Sequence, residues 1–184
     1  MPARTTVWTP DLVRALPDDG NRYEVVDGEL LVTPVPALVH QRVLTRLFKA
    51  IDSYVEAYAL GETLISPADI SFDERSLVQP DIFVAPRSAG QLFARWSDLT
   101  SLLLAVEILS PSTARADRTV KRRLYQRWPV GEYWIVDAHA RVIERWRTGA
   151  EQPEILEREL MWQPADAPQP VRLQLHAIFE ASAG

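Results

Sequence analysis

The chain has 184 residues, 47% hydrophobic and 24% charged, with a formal net charge of −5 and a pI near 5.3. These values fit a single soluble globular domain over residues 1–184 and argue against a protein that coats nucleic acid through overall basicity. The absence of cysteine excludes disulfides, thiolate nucleophiles and sulfur-ligated zinc, and His40, His139 and His176 are wrongly spaced for a HExxH metal site.

Residues 1–8 lack the apolar run of a signal peptide, and the longest apolar stretch, Leu102 to Leu109, is too short to span a bilayer. A cytoplasmic protein without a membrane partner is the default expectation. Asp11 to Leu16 reads as a short helix, with Thr9 as N-cap and Pro10 at the first helical position. Arg22 to Thr33 reads as a hairpin around Asp27-Gly28, a dipeptide suited to a type I′ turn. From Leu38 to Tyr58 the apolar residues fall at 44, 47, 48, 51, 55 and 58, which is helical spacing. Thr63–Phe72 and Val78–Val84 read as strands, the second with Pro80 near its start. Ser88 to Ser101 reads as a loop with a short helix. Leu102 to Leu109 reads as a strand buried on both faces. A helix is expected over Asp117–Trp128, with Val120, Leu124 and Trp128 as its buried stripe and Pro129 as its stop. Glu132–Asp137 and Val142–Arg147 read as two further strands. Shorter strands and a last helix near His176–Ala181 complete the chain. The central order is helix, three strands, helix, strand, within a mixed α/β domain.

Seven glycines, none suitably spaced, leave no GxGxxG or P-loop, and no GxSxG elbow is present. Chemistry therefore falls to carboxylates, lysines or the few histidines. Glu107 is the one charge inside the most apolar strand. Ionised and unpaired it would cost several kcal/mol, so it pairs with a cation, binds a metal or holds a proton; a strand-end glutamate reaching solvent is the bland alternative. Asp81 opens the preceding strand after Pro80, and two acids on neighbouring strands can converge on one Mg²⁺; without Glu107, an aspartate at a turn before a strand would be the reading. Lys121 is one of only two lysines, beside Lys49, in a chain that otherwise uses arginine. It borders the buried stripe of its helix, with Asp117 and Tyr125 four residues to either side, and can reach inward, with a solvated lysine on the helix face as the alternative. Residues 115–127 carry six cations and one acid, a net +5, leaving −10 elsewhere. Arg115, Arg118 and Arg122 of this run are candidates for contact with a phosphate backbone, with a solvated charged face as the alternative. A pair of sugar-hydrolysing carboxylates is a further alternative, disfavoured by the burial of the Glu107 strand.

Several phrases occur in a specific order: Tyr23-Glu24-Val25-Val26-Asp27-Gly28-Glu29-Leu30, His40-Gln41, Val78-Gln79-Pro80-Asp81, Val106-Glu107-Ile108-Leu109-Ser110-Pro111-Ser112-Thr113, Lys121 to Tyr125, and Glu132-Tyr133-Trp134-Ile135-Val136-Asp137. Together, over roughly residues 8–147, they resemble the Uma-type restriction endonuclease family of the PD-(D/E)XK nuclease superfamily. The resemblance implies a restriction-endonuclease-like mixed sheet with an αβββαβ core, an N-terminal hairpin and extra C-terminal strands. It implies that Asp81 and Glu107 bind Mg²⁺ or Mn²⁺ together with the backbone carbonyl of Ile108. Leu109 stands where the superfamily motif has lysine, and Lys121 from the next helix is the natural substitute. The implied activity is hydrolysis of phosphodiester bonds in DNA. Lys121 would assist, Glu24 would add a carboxylate, and His40 would contact substrate or pack at the edge of the core. Asp137 is expected to be structural. A catalytically inactive nuclease-fold module that binds DNA or a protein is the competing expectation. A homodimer is expected from superfamily habit and from sheet edges that need cover.

Overall fold

The computed structural model describes residues 7–180. The expectation about a leader falls partly on residues 1–6, outside that range. The Thr9 hydroxyl accepts from the Leu12 amide at 3.3 Å and Pro10 sits in the first turn, so α1 (Pro10–Arg14) forms, ending short of the expected Leu16. Strands β1 (Arg22–Val26) and β2 (Glu29–Thr33) form the expected hairpin. Asp27 and Gly28 take φ of 50° and 89°, the backbone a type I′ turn needs. Helix α2 (Leu38–Ala57) buries a stripe of Val43, Leu47, Ile51, Tyr54 and Val55, and that stripe begins at His40.

The two strands expected over 63–72 and 78–84 are four: β3 (Gly61–Ile65), β4 (Ile70–Asp73), β5 (Ser76–Val78) and β6 (Ile82–Pro86). Pro67 and Pro80 explain the division, because neither has an amide to donate to a ladder. Both runs break at the same level. Ser66 ties the breaks together, its amide donating to the Asp81 carbonyl at 3.4 Å and its hydroxyl to the Pro80 carbonyl at 2.7 Å. A 3-10 turn (Trp96–Asp98) interrupts the following loop, and β7 (Leu102–Ile108) is buried along nearly its whole length. The next helix begins earlier than expected. It is assembled from α3 (Ala114–Ala116), a π-helical turn (Asp117–Lys121) and α4 (Arg122–Arg127), and Trp128 leaves it in extended backbone before Pro129. Val120 is only partly buried, while Lys121 is buried beside Leu124 and Tyr125. Strands β8 (Val130–Asp137), β9 (Val142–Arg147), β10 (Glu154–Leu156), β11 (Glu159–Trp162) and β12 (Val171–Gln174) lead to α5 (Leu175–Phe179). The last helix thus starts one residue before His176, and Ala181 lies outside the described residues.

The strands form a six-stranded sheet in the order β10-β9-β8-β7-β6-β3, a four-stranded sheet β2-β1-β5-β4, and the hairpin β11-β12. Within the large sheet only β7 and β8 are parallel, joined by the π-containing helix. With β4 and β5 in the second sheet, the large sheet reads α2, β3, β6, β7, helix, β8, which is the expected αβββαβ core. Alternation along β6 and β7 supplies both faces. Ile82, Val84, Leu104, Val106 and Ile108 pack with α2 and the C-terminal elements, whereas Phe83 and Ala105 pack with Leu124, Tyr125 and the second sheet. The two sheets meet where β5 passes into β6, and Asp81 is the residue at that crossing. Among the described residues no helix is long and apolar enough to cross a membrane.

Candidate active site

Continuing the β6–β7 register by one residue beyond the Ile82–Val106 pair sets Asp81 opposite Glu107. Asp81 Oδ2 accepts from the Ile108 amide at 2.8 Å and lies 3.1 Å from His40 Nε2, while Oδ1 accepts from Arg22 at 2.8 Å. Burial alone would raise this carboxyl. The His40 hydrogen bond, the Arg22 charge and the Ile108 amide overcome burial and hold it at about 2. His40 reaches Asp81 because it begins the buried stripe of α2, and Arg22 because it opens β1 on the adjoining sheet.

Glu107 and Ala105 share a face of β7, so the Glu107 side chain points toward the π-containing helix. There Lys121 Nζ donates to Glu107 Oε1 at 3.0 Å, and Tyr125 Oη donates to the same oxygen at 3.1 Å. Lys121 also lies 2.7 Å from Glu24 Oε2 and 3.5 Å from Asp117 Oδ1, so three carboxylates surround one ammonium. Glu24 is fixed from its other oxygen, which accepts from the Gln79 amide at 2.7 Å. Burial pushes Glu107 well above the usual glutamate range. Lys121 pulls it down, and Asp117, Glu24 and Asp81 push it up again. Burial likewise raises Asp117 against the pull of Lys121 and a Thr113 hydrogen bond. For Lys121 burial works against the charge, and Glu107, Glu24 and Asp117 more than compensate, so the amine stays an ammonium. Burial, then Glu107, holds Tyr125 far above its usual range, so it remains a neutral donor.

Glu24, Asp81, Glu107, Asp117 and Lys121 are all at most 2% exposed. Four carboxylates face the two cations Arg22 and Lys121, a formal excess of two negative charges. The wall holding Arg22, His40, Asp81 and Ile108 opens onto a cavity of about 910 Å³. A smaller one of about 130 Å³, lined by Glu24, Asp117 and Lys121, shares Thr33, Ser112 and Thr113 with it. Among the described residues no three His, Asp or Glu groups are arranged to hold a metal ion. The oxygen-bearing groups that meet at the end of β7 are the Asp81 carboxylate, which accepts from the Ile108 amide, and the Glu107 carboxylate next along the strand. Such hard donors suit Mg²⁺, which commonly takes one or two carboxylates and keeps water for the rest.

The structure therefore brings together Asp81, Glu107, Lys121, Glu24, His40 and Ile108. Ile108 enters through its amide on Asp81. Leu109 lies just beyond the end of β7, its amide donating to Val136. The cations of 115–127 are placed differently from a phosphate-facing row. Arg118 pairs with Asp137 at 3.1 Å and Glu144 at 2.6 Å, and Arg127 pairs with Asp27. Arg122 donates to Gln126 and lies over the Trp146 ring at 4.7 Å. Arg115 and Arg123 are exposed. None of these five lines either cavity. Asp137 accepts the His139 and Ala140 amides besides Arg118, the structural turn role expected of it. Arg22, Asp117 and Tyr125 are site residues that the sequence reading did not single out. The spacing of Asp117 and Tyr125 around Lys121 was a usable signal. So was the two-residue spacing of Arg22 and Glu24, which sets them on one face of β1.

A family model named Uma2 and described as "Putative restriction endonuclease" matches residues 10–176. Among solved structures, "a putative nuclease" from Anabaena variabilis aligns at TM-score 0.75 with 19% identity, covering 94% of this chain and 97% of that one. That likeness shows the fold. No curated protein matches the sequence.

Proposed function

Since the chain belongs to the Uma2 restriction endonuclease family, we propose that it is a metal-dependent endonuclease hydrolysing phosphodiester bonds in DNA. The observation that carries this reading is the convergence of Asp81, Glu107 and Lys121 at the crossing of two sheets, beside a cavity of about 910 Å³. Asp81 and Glu107, with the Ile108 carbonyl, would hold Mg²⁺ or Mn²⁺. Bound there, the ion supplies Lewis-acid stabilisation of the phosphate and a water of lowered pKa. Lys121 keeps its proton and presents a fixed positive charge beside the acids, where negative charge grows in the transition state. Tyr125 holds Glu107 in one orientation, and His40 does the same for Asp81. Glu24 and Asp117 fix the Lys121 ammonium. The proposed partner is DNA, and the exposed Arg115 is the one of the three candidate arginines free to meet its backbone. The β3 and β10 edges of the large sheet are where a second copy would pair in the expected homodimer.

The test is incubation with supercoiled plasmid and single-stranded DNA in Mg²⁺ or Mn²⁺. Glu107→Ala and Lys121→Ala should each lower cleavage by about 10²-fold or more, the size of effect seen when one charge-stabilising group is removed. Equal cleavage by wild type and Glu107→Ala would overturn the assignment. A second reading, an inactive nuclease-fold module that binds DNA or a protein, draws on one observation: both Asp81 oxygens already have donors in the chain. It predicts DNA retention without cleavage in any metal.

A further inference from the structure

Arg22 is held differently from the other cation of the site. Lys121 is 1% exposed and enclosed by Glu24, Glu107 and Asp117. The Arg22 side chain is 18% exposed and lines the large cavity. Its anchors are the Asp81 carboxylate at 2.8 Å and the Gln79 carbonyl at 3.1 Å, with Glu24 more distant at 3.9 Å. Its Nε is buried without a hydrogen-bond partner, so the guanidinium is incompletely satisfied where it lies. Burial works against its charge, yet Glu107, Asp81 and Glu24 together keep it above the usual arginine range. It is thus a permanent cation placed on one oxygen, Oδ1, of the Asp81 carboxylate.

Two cations cannot share Asp81 Oδ1 at bonding distance without strong repulsion. We propose that Arg22 is a displaceable counter-ion of Asp81. It neutralises the acid in the metal-free protein, gives up Oδ1 to the incoming divalent ion, and then offers its guanidinium to a substrate phosphate in the cavity. This rests on the metal-dependent reading above and adds a phosphate-binding residue to it. A planar guanidinium suits the second task, since it can take two phosphate oxygens at once where an ammonium takes one. Lys121 is too enclosed to move in the same way, so the division of labour between the two cations follows from their surroundings.

The experiment is calorimetric titration of the whole protein with MnCl₂, then with inorganic phosphate in saturating Mn²⁺, for wild type, Arg22→Gln and Arg22→Lys. Thermal melts establish that each variant is folded. Removing the competing charge should tighten Mn²⁺ binding about tenfold in Arg22→Gln while phosphate binding weakens about tenfold or more. Arg22→Lys keeps the charge without the fork, so it should bind Mn²⁺ much as wild type does and phosphate more weakly. Mn²⁺ binding by Arg22→Gln equal to or weaker than that of wild type overturns the displacement. Unchanged phosphate binding in Arg22→Gln overturns the phosphate role. Absence of any Mn²⁺ heat in wild type and all variants sinks the metal-dependent reading itself, and this inference with it. Should Arg22→Gln fail to fold, Arg22→Lys decides alone, and wild-type phosphate affinity in that variant counts against the proposal.

Discussion

Glu107 is 1% exposed among three other carboxylates, and burial pushes its carboxyl well above the ordinary range. Such a group binds its proton more tightly folded than unfolded. It favours the fold at low pH, and that contribution is lost as pH rises from the ordinary glutamate value through the native one. Glu107→Gln should therefore flatten this decline and raise stability at neutral pH, because Lys121 keeps Glu24 and Asp117 as partners. Asp81 has the opposite sign. Its carboxyl is held at about 2, so its contribution is complete above the usual aspartate value and is lost as pH falls through 2. Asp81→Asn should cost about 2 kcal/mol at neutral pH. Calorimetric melts of both variants between pH 3 and 8 check the pair; a loss of neutral stability in Glu107→Gln would contradict it. Asp81, Glu107 and Lys121 were legible because each is anomalous in its own segment: an acid opening an apolar strand, an acid inside one, a rare lysine. Arg22 was not, because it is one of 18 arginines and only the meeting of β1 with the β5–β6 crossing gives it Asp81 as a partner.

Asp81 immediately precedes β6, so whatever fixes β6 fixes the site. β3 lies along it from the Gly61–Pro86 pair to the Ile65–Ile82 pair. Gly61 allows that approach: a Cβ there would sit 1.9 Å from the Ala85 carbonyl oxygen, a backbone atom that cannot step aside. Gly61→Ala should cost about 3 kcal/mol or more through displacement of the edge strand. Urea unfolding measures it, and a cost below 1 kcal/mol would mean that β3 shifts without penalty. The elements themselves were largely readable from periodicity, as α2 and β7 show. Two features were not. The runs 63–72 and 78–84 look continuous in hydropathy, and only the second sheet reveals that Pro67 and Pro80 divide each between two ladders. The π-helical turn also has no signature in the apolar spacing, because its residues Asp117 and Lys121 are polar groups buried by one another and by Glu107. Polar burial of this kind is a tertiary arrangement that a hydrophobic pattern does not record.

Over the whole molecule the charge divides as +5 on residues 115–127 and −10 elsewhere. The fold then cancels most of the local excess. Lys121 faces three acids, Arg118 two, and Arg127 one. A run that reads as a basic stripe in one dimension is a set of tertiary ion pairs in three. Phosphate affinity scales with cations that are free to release counter-ions, each neutralised phosphate adding about −0.9 to the slope of log K against log salt. With Arg115 and Arg123 exposed and outside the ion pairs of the run, and Arg127 exposed but paired with Asp27, DNA binding should show a shallow slope, of about −2 to −3. Arg115→Ala should reduce that slope by about one and leave the melting temperature unchanged. Arg118→Ala should do the reverse, leaving the slope nearly intact and costing about 1 kcal/mol of stability as Asp137 and Glu144 lose their partner. Fluorescence anisotropy with a labelled oligonucleotide between 50 and 300 mM salt (Ca²⁺ in place of Mg²⁺ to suppress cleavage), beside thermal melts, separates the two. If Arg118→Ala lowers the slope as much as Arg115→Ala, its ion pairs open on DNA and the charge of the helix is available after all. If neither changes it, the nucleic acid approaches from another side of the cavity.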